Sequence, residues 1–363
     1  MISNQILQNA IDGLKNITHT NISIIERDGK LIASTENLIP YDYQPVMENF
    51  IHSPADTQQI QSNQFFKVYD NGVAEYAVVI HGEDDYAYRV GKIAAFHIQG
   101  LLIAYKERYD RDNFVKNLLL DNLLLVDIYN RAKKLHVENN VRRVVYLIET
   151  EIDKEMSAVE IVRGIFPAKQ RDFVTAVDES SIILVKELRE KEASEDIEKY
   201  ARIICDTLGS EAMSKVTVAI GTVVSDLKNV SSSYKEARMA QEVGKIFEPD
   251  RQIVNYEQLG IGRLIYQLPL SLCRIFIKEV LHGVNMTQFD DETLATVSKF
   301  FENHLNVSET SRQLYIHRNT LVYRLDKLQK LTGLDLRNFN DAITFKITLM
   351  VSRYMQYKER HSF

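Results

Sequence analysis

Apolar residues in the first eighty positions fall into two matched blocks. NISIIERDGKLIAS reads as strand, Asp-Gly turn, strand, and FFKVYDNGVAEYAVVI repeats that grammar around Asn-Gly. A short amphipathic helix, Ile6 to Ile17, precedes the first block, and a loop containing Pro40, Pro45 and Pro54 separates the two. Two hairpins so close together predict a small antiparallel sheet, closed by a helix from about Asp85 to Tyr105. Residues 1–108 are therefore expected as one small domain.

The pattern then changes. In DNFVKNLLLDNLLLVDIYNRAKKLHV the residues Phe114, Leu118, Leu119, Leu120, Leu123, Leu124, Leu125, Val126 and Ile128 nearly encircle a helix. A helix apolar on most sides must bury more than one face, so 109–140 is expected as a signalling or dimerisation helix. From Val141 to about Tyr256 the periods alternate. VRRVVYLIE is a strand, KEMSAVEIVRGIF a helix, and DFVTAVDESSIILVKEL a hairpin turning at Asp178 to Ser181. IEKYARIICDTLG is a helix, KVTVAIGTVV a strand and SSSYKEARMAQEVGKIF a helix. This β-α-β-β-α-β-α order predicts a mixed α/β domain over 141–260. The remainder, 261–363, is helical, with Leu294, Val297, Phe301 and Leu305 on one stripe and Ile343, Ile347, Met350, Val351 and Tyr354 on another.

Within that last region, NVSETSRQLYIHRNTLVYRLDKLQKLTG (306–333) reads as two short helices joined by a tight turn. Asn306 followed by Glu309 fits a capping box opening a helix to about Leu314. Tyr315, Ile316 and His317 leave room only for a sharp turn, and His317 sits where a polar N-cap is wanted. From Arg318 to about Leu331, Leu321, Leu325 and Leu328 recur at helical spacing and define a buried face. Asn319, Tyr323, Asp326, Lys327 and Lys330 then project to the other side, with Arg318 and Arg324 on its flanks, and Gly333 supplies the stop. Between Asn306 and Lys330 stand five Lys/Arg against two Asp/Glu. A capped helix, a three-residue turn and a basic outer face form the element that enters the major groove of DNA. Asn pairs with adenine, Arg with guanine, and Tyr, Lys and Arg bind phosphate oxygens. An ordinary solvated face, or a protein partner instead of DNA, is the competing reading.

Composition modifies this picture in two ways. A length of 363 residues with 45% hydrophobic content suffices for two or three cored domains. The net charge of −6 argues at first against nucleic acid, but 290–363 holds eleven Lys/Arg and nine Asp/Glu, leaving −8 on the rest. An acidic body with a locally basic tip fits specific DNA binding and disfavours a general DNA coat. Cys205 and Cys273 lie far apart, so no disulfide framework is expected. MISNQILQNAIDGL lacks the basic and apolar regions of a signal peptide, and no apolar run approaches a membrane span. A cytoplasmic location is the expectation.

Family resemblances sharpen these expectations. LYIHRNTLVYRL and LTGLDLRNFNDAITFKITL resemble the helix-turn-helix of the purine catabolism regulator (PucR) type. That resemblance implies a bacterial transcription regulator whose recognition helix begins near His317, with Arg318, Asn319, Thr320, Tyr323 and Arg324 as DNA contacts; Lys327 joins them from the outward face. VTVAIG and YKEARMAQEVGK resemble a degenerate GGDEF domain of the nucleotidyl-cyclase kind. Where GGDEF should stand, this chain has AVDES, so Cβ atoms occupy the space through which glycine backbone approaches phosphates. The domain is expected to serve as scaffold or dimer surface, not as an enzyme. The two N-terminal hairpins suggest a PAS or GAF sort of sensor, and NISIIERDGKLIAS resembles the opening of the carbohydrate (sugar) diacid regulator family. The whole order of domains is that family's too. The implied fold class is multidomain α+β: a PAS/GAF-like sensor, a degenerate GGDEF-type α/β middle and an all-α helix-turn-helix end. The implied protein is a homodimer that binds double-stranded DNA in response to a small-molecule effector, a sugar diacid or hydroxy-acid. Such a ligand needs cationic and hydroxyl donors, and Arg27, Ser34, Thr35, His81 and Arg89 are the candidates near the hairpins.

Other chemistry is sparse. Glu149, Glu151 and Asp153 could in principle hold a metal with Asp178, but carboxylates at the end of a strand are commonly solvated, and neither metal nor cofactor is expected. His81, His97, His136, His282 and His304 show no ligand spacing. No Walker loop, dinucleotide fingerprint or nucleophile elbow is present. The alternative function is a nucleotide cyclase or nucleotide-binding enzyme with a DNA-binding tail, which requires a nucleotide at the 176–181 hairpin.

Overall fold

The computed structural model describes residues 2–36, 43–70, 72–150, 158–166, 171–178, 181–212, 215–284 and 288–361. The chain divides into two compact units, Met1–Val115 and Lys116–Phe363.

The first unit is a five-stranded antiparallel sheet between helices. Its elements are α1 (Asn4–Thr18), β1 (Ile22–Glu26), β2 (Leu31–Ser34), α2 (Gln44–His52), β3 (Thr57–Ile60), β4 (Asn63–Asp70), β5 (Val73–His81) and α3 (Asp85–Leu119), whose last turn passes into the second unit. Strand order is β2-β1-β5-β4-β3. Register places Ile24 and Phe66 opposite Val78, and Ser23 and Phe65 opposite Val79. Alternate side chains therefore serve two cores. Ile22, Ile24, Phe66, Val68, Val78 and Ile80 pack with Leu7 and Ile11 of α1 and Ala87, Val90, Ala94 and Ile98 of α3. On the other face Ile25, Phe65, Ala77 and Val79 meet Met47 and Phe50 of α2. Burial on both faces is why these strands read as nearly continuous apolar runs.

Two elements stand where a loop was expected. α2 begins at Gln44 with Pro45 in its first turn, where the missing N–H costs nothing. β3 pairs with β4, Thr57 opposite Phe66. Pro40 lies outside the described residues.

The single helix expected over 113–134 is two. α3 ends at Leu119, a turn follows, and α4 (Leu125–Lys134) begins anew. Asp121 takes the left-handed conformation, φ 61°, which Asp and Asn tolerate better than other side chains, and the Asn122 amide donates to the Asn117 carbonyl, 2.9 Å. Leu118 and Leu119 are buried, whereas Leu120, Leu124, Leu125 and Val126 are exposed. The apolar girdle is thus shared between two helix ends.

The second unit continues with β6 (Arg143–Thr150), α5 (Ala158–Ile165), β7 (Phe173–Ala176), β8 (Ser181–Glu187), α6 (Ser194–Ala212), β9 (Val216–Ile220), α7 (Val230–Phe247) and β10 (Ile253–Asn255). Its sheet runs β10-β9-β6-β8-β7, antiparallel except for β10 beside β9. Tyr146, Ile148, Leu184 and Val218 pack with Val162 of α5 and Ala201, Ile204 and Leu208 of α6. Helices α8 (Ile261–Tyr266), α9 (Leu270–Val280), α10 (Asp291–Glu302), α11 (Val307–Gln313), α12 (Arg318–Thr332) and α13 (Phe339–Arg360) complete the chain. On α13 the buried stripe is Ala342, Phe345, Thr348, Val351 and Tyr354, and Ile343, expected inside, is exposed. Among the described residues no helix is long and apolar enough to cross a membrane.

Two measurements test this packing. A Cβ on Gly91 of α3 would lie 2.0 Å from the Phe66 ring, whereas one on Gly13 of α1 would meet nothing within 4 Å. Gly13→Ala should raise the thermal midpoint, since alanine is favoured over helical glycine by about 1 kcal/mol. Gly91→Ala should lower it, because overpacking costs about 1–3 kcal/mol. Separately, burial pushes the Cys205 thiol up to about 11. At pH 8 only about one molecule in a thousand would carry the thiolate, so thiol reagents should label Cys205 only upon unfolding.

Candidate nucleic-acid interface

The C-terminal helices are assembled by caps and a small core. The Asn306 side chain accepts from the amides of Ser308 and Glu309, 3.0 and 3.1 Å, and opens α11. The expected reciprocal half of a capping box is absent. Glu309 instead takes Arg312 at 2.8 Å and Gln313 at 2.7 Å, and the Asn306 amide donates to the Asn303 carbonyl. Arg312 correspondingly holds the Glu309 carboxyl below its ordinary range. The turn is closed by amides of Tyr315 and Ile316 donating to the carbonyls of Arg312 and Ser311, 3.2 and 3.1 Å. Tyr315 adopts φ 58° with its ring almost wholly in solvent, a conformation that costs a side chain of this size about 1–2 kcal/mol. His317 then caps α12, its Nδ1 accepting from the Asn319 amide at 3.2 Å, and Gly333 ends that helix at φ 78°. Leu321, Leu325 and Leu328 are buried with Leu281, Phe289, Val297, Phe300, Leu336 and Phe345.

That core aims the polar face of α12 outward, but its basic residues do not share one role. Arg318, Asn319, Thr320, Tyr323 and Lys330 are exposed. Arg324 is not. Its side chain is 18% exposed, and its guanidinium donates to Thr296 Oγ1 at 2.9 Å and to the Glu292 carboxylate, both on α10. Lys327 reaches Asp290 Oδ2 at 3.4 Å. Asp290 is the N-cap of α10, and its carboxyl is held below the usual range first by Thr293, then by Lys327. The acidic Asp326 is answered by Arg337 at 2.9 Å, which also holds Asp335 at 2.7 Å. The surface left open for a ligand is the N-terminal half of α12 together with Lys330 and the exposed side of Lys327. Tyr315 adjoins it in sequence; only its positive φ, invisible in the pattern of residue types, distinguishes it.

In the middle domain the motif words prove structural. A Cβ on Gly221 would lie 2.0 Å from the Ser233 carbonyl oxygen, so β9 and α7 touch there only because Gly221 has none. Ser233 Oγ donates to the Thr222 carbonyl at 2.7 Å and accepts from the Val145 amide at 3.2 Å. The hairpin carrying AVDES joins β7 to β8, with Glu179 and Ser180 outside the described residues. Glu149, the penultimate residue of β6, has its carboxylate taken by Lys245 at 2.8 Å and Gln241 at 3.1 Å; Glu151 and Asp153 also lie outside the described residues.

Comparison with known proteins identifies the kinds of domain to which these elements belong. Residues 293–351 match the PucR C-terminal helix-turn-helix domain, and residues 122–243 match the GGDEF-like domain. The chain carries a PucR-type helix-turn-helix behind a GGDEF-like domain. It is similar to the carbohydrate diacid regulator of Escherichia coli (strain K12), 23% identical over 250 residues, 66% of this chain and 65% of that protein. It is also similar to the purine catabolism regulatory protein of Bacillus subtilis (strain 168), 29% identical over 139 residues, 38% of this chain and 26% of that protein. The DNA-binding transcriptional activator AdeR of the same organism is 25% identical over 202 residues, 52% of this chain and 44% of that protein. The chain thus spans less than two thirds of the length of these curated relatives.

The residues suggested for an effector lie on or beside different elements of the first unit. Arg27 lines a shallow cleft with Glu26, Asp28, Glu48 and Glu75, an acidic setting for a dicarboxylate. Ser34 and Thr35 stitch the sheet: Ser34 Oγ lies 3.0 Å from Ser23 Oγ, and Thr35 Oγ1 accepts from the Ile22 amide at 2.9 Å. His81 bonds Asn63 at the end of β5. Arg89 is on the solvent face of α3, paired with Asp85.

The PucR-type domain offers a direct test of its cap. Asn306→Ala should destabilise α11 by about 1 kcal/mol. Amides of Ser308 and Glu309 should then exchange with deuterium about fivefold faster, while those of α13 keep their protection.

Proposed function

We propose that this protein is a cytoplasmic, ligand-responsive transcription regulator that binds duplex DNA as a homodimer. Its regulon would be genes for using carbohydrates or organic acids. One observation carries the reading. On a capped helix-turn-helix, Arg318, Asn319, Thr320 and Tyr323 project into solvent from the leading half of α12, with no side-chain partner among the described residues. Base-reading side chains in this architecture come from that half of the second helix. Arg318 and Asn319 would read base edges, and Thr320, Tyr323 and Lys330 would hold phosphates. Arg324 and Lys327 would act through α10, fixing the angle at which α12 is presented.

The remaining assignments follow the same order along the chain. The first unit, residues 1–108 with the rest of α3, would be a PAS/GAF-like sensor, supported by its antiparallel sheet flanked by α1, α2 and α3. The carbohydrate diacid regulator resembled by this chain suggests a sugar diacid or hydroxy-acid as effector. The GGDEF-like domain would serve as a mount for the helical tip, without enzymatic turnover, because its hairpin lacks the two glycines. A twofold dimer would present two α12 helices to two half-sites. The effector would act only by binding one arrangement of that dimer more tightly than another.

Asn319→Ala and Arg318→Ala should each weaken binding to a promoter fragment from the protein's own locus by about 1–3 kcal/mol at fixed salt. Lys330→Ala should weaken binding to all sequences alike and flatten the dependence of log Kd on log salt by about one unit. Wild-type affinity in both Arg318 and Asn319 variants would refute the assigned contacts.

A further inference from the structure

Helix α3 has an apolar face left uncovered among the described residues. Ala87, Val90, Ala94 and Ile98 turn inward to the sheet. On the opposite side Tyr86, Ile93, Phe96 and Ile103 are exposed, Phe96 at 82%. With Arg89, Gly100, Glu107 and Asp110 they occupy positions alternately three and four apart, the spacing of a helix-pairing seam. Scattered apolar residues on a surface need no explanation, but a row of them along about 26 Å of helix does. Gly100 adds a second anomaly. A Cβ there would meet nothing within 4 Å, so the fold gains nothing from a glycine that costs helix stability about 1 kcal/mol.

We propose that this face is where two copies of the chain pair, their α3 helices antiparallel about a twofold axis near Ile98. The charge pattern selects both the occupant and the direction. In that register Arg89 of one copy comes opposite Glu107 of the other, Tyr86 opposite Asp110, Ile93 opposite Ile103, and Phe96 opposite Gly100. Each of these pairings occurs twice, as an isologous interface requires. The ring of Phe96 is a knob and the missing side chain of Gly100 its hole. A parallel pair would instead set Arg89 against Arg89 and Glu107 against Glu107, and would leave Gly100 facing Gly100 across a void. Among the described residues Arg89 pairs with its exposed helical neighbour Asp85, a surface pair worth little and easily shared. Ile17 extends the patch beside Tyr86, whose hydroxyl donates to the Thr18 carbonyl at 2.9 Å. Arg89 is thereby assigned to assembly and not to effector binding.

The inference rests on the two-copy reading above only for the number of chains. Sedimentation equilibrium of the full-length protein tests it, with promoter binding measured in parallel. Phe96→Glu should raise the dimer dissociation constant by about 30-fold or more, as loss of a central aromatic anchor does, with the circular dichroism spectrum of the fold preserved. Arg89→Glu and Glu107→Arg should each weaken the dimer by about tenfold through like-charge contact, and combining them should restore it. An undiminished dimer in Phe96→Glu overturns the pairing of α3 and leaves the regulator reading standing. Failure of the combined charge swap to restore a dimer weakened by either single change overturns the antiparallel register. A wild-type chain that stays monomeric at all concentrations, with and without promoter DNA, overturns the two-copy reading together with the interface.

Discussion

Helix α13 is buried twice along its length, and the geometry of the C-terminal half depends on that. Phe345 sits edge-on to Phe289, centroids 6.0 Å apart, in the core that also holds Leu321, Leu325 and Leu328 of α12. About two turns later Val351 and Tyr354 enter a different core with Ile246 of α7, Ile265 of α8 and Cys273 of α9. The Tyr357 hydroxyl then donates to Glu242 of α7 at 3.2 Å, and burial pushes that phenol up to about 12. One rigid helix thus belongs to the helix-turn-helix at its start and to the GGDEF-like domain at its end. To pivot one against the other, a core of large apolar side chains would have to open, at about 3–5 kcal/mol for each aromatic exposed.

The same rigidity explains why basic residues on α12 are divided between two tasks. A recognition helix is useful only if its angle is fixed before it meets a ligand, since ordering it on contact would be charged against affinity. Arg324 and Lys327 tie the helix to Glu292, Thr296 and Asp290 at the start of α10. Arg337 neutralises Asp326, the one acidic side chain on the outer face. The leading polar residues Arg318, Asn319, Thr320 and Tyr323 are left exposed. A charge tally over 306–330 counts all these residues alike, whereas the structure separates struts from open side chains by where their guanidinium and ammonium groups end.

What the sequence discloses and what it conceals follow from the range of the interactions involved. The two hairpins, the caps at Asn306 and His317 and the leucine face of α12 are fixed within a few residues, and the structure has them where the pattern puts them. Features set by distant partners were not legible. Pro45 looked like a breaker because its tolerance in a first turn depends on Met47 and Phe50 finding β1, β4 and β5. Asp121 and Asn122 looked like one polar gap in a leucine helix, and only the reversal of the chain shows that they end it. Ile343 matched a helical stripe as well as Phe345 did, but α13 is rotated so that Phe345 faces Phe289. The match to a PucR-type domain fixed what kind of element this is, without revealing that Arg324 is occupied.

The GGDEF-like domain shows the same economy in its glycines. Gly221 is needed because the Ser233 carbonyl leaves no room for a side chain, and Gly244 because a Cβ there would lie 2.7 Å from Val254. Both seat α7 against the β9–β10 side of the sheet, and α7 is the surface on which α13 rests. The hairpin between β7 and β8, where backbone would have to approach a phosphate, has no glycine in AVDES. Glycine is thus present where helix and sheet must touch, and the close seating of α7 that it permits is what α13, and through it α12, rests upon.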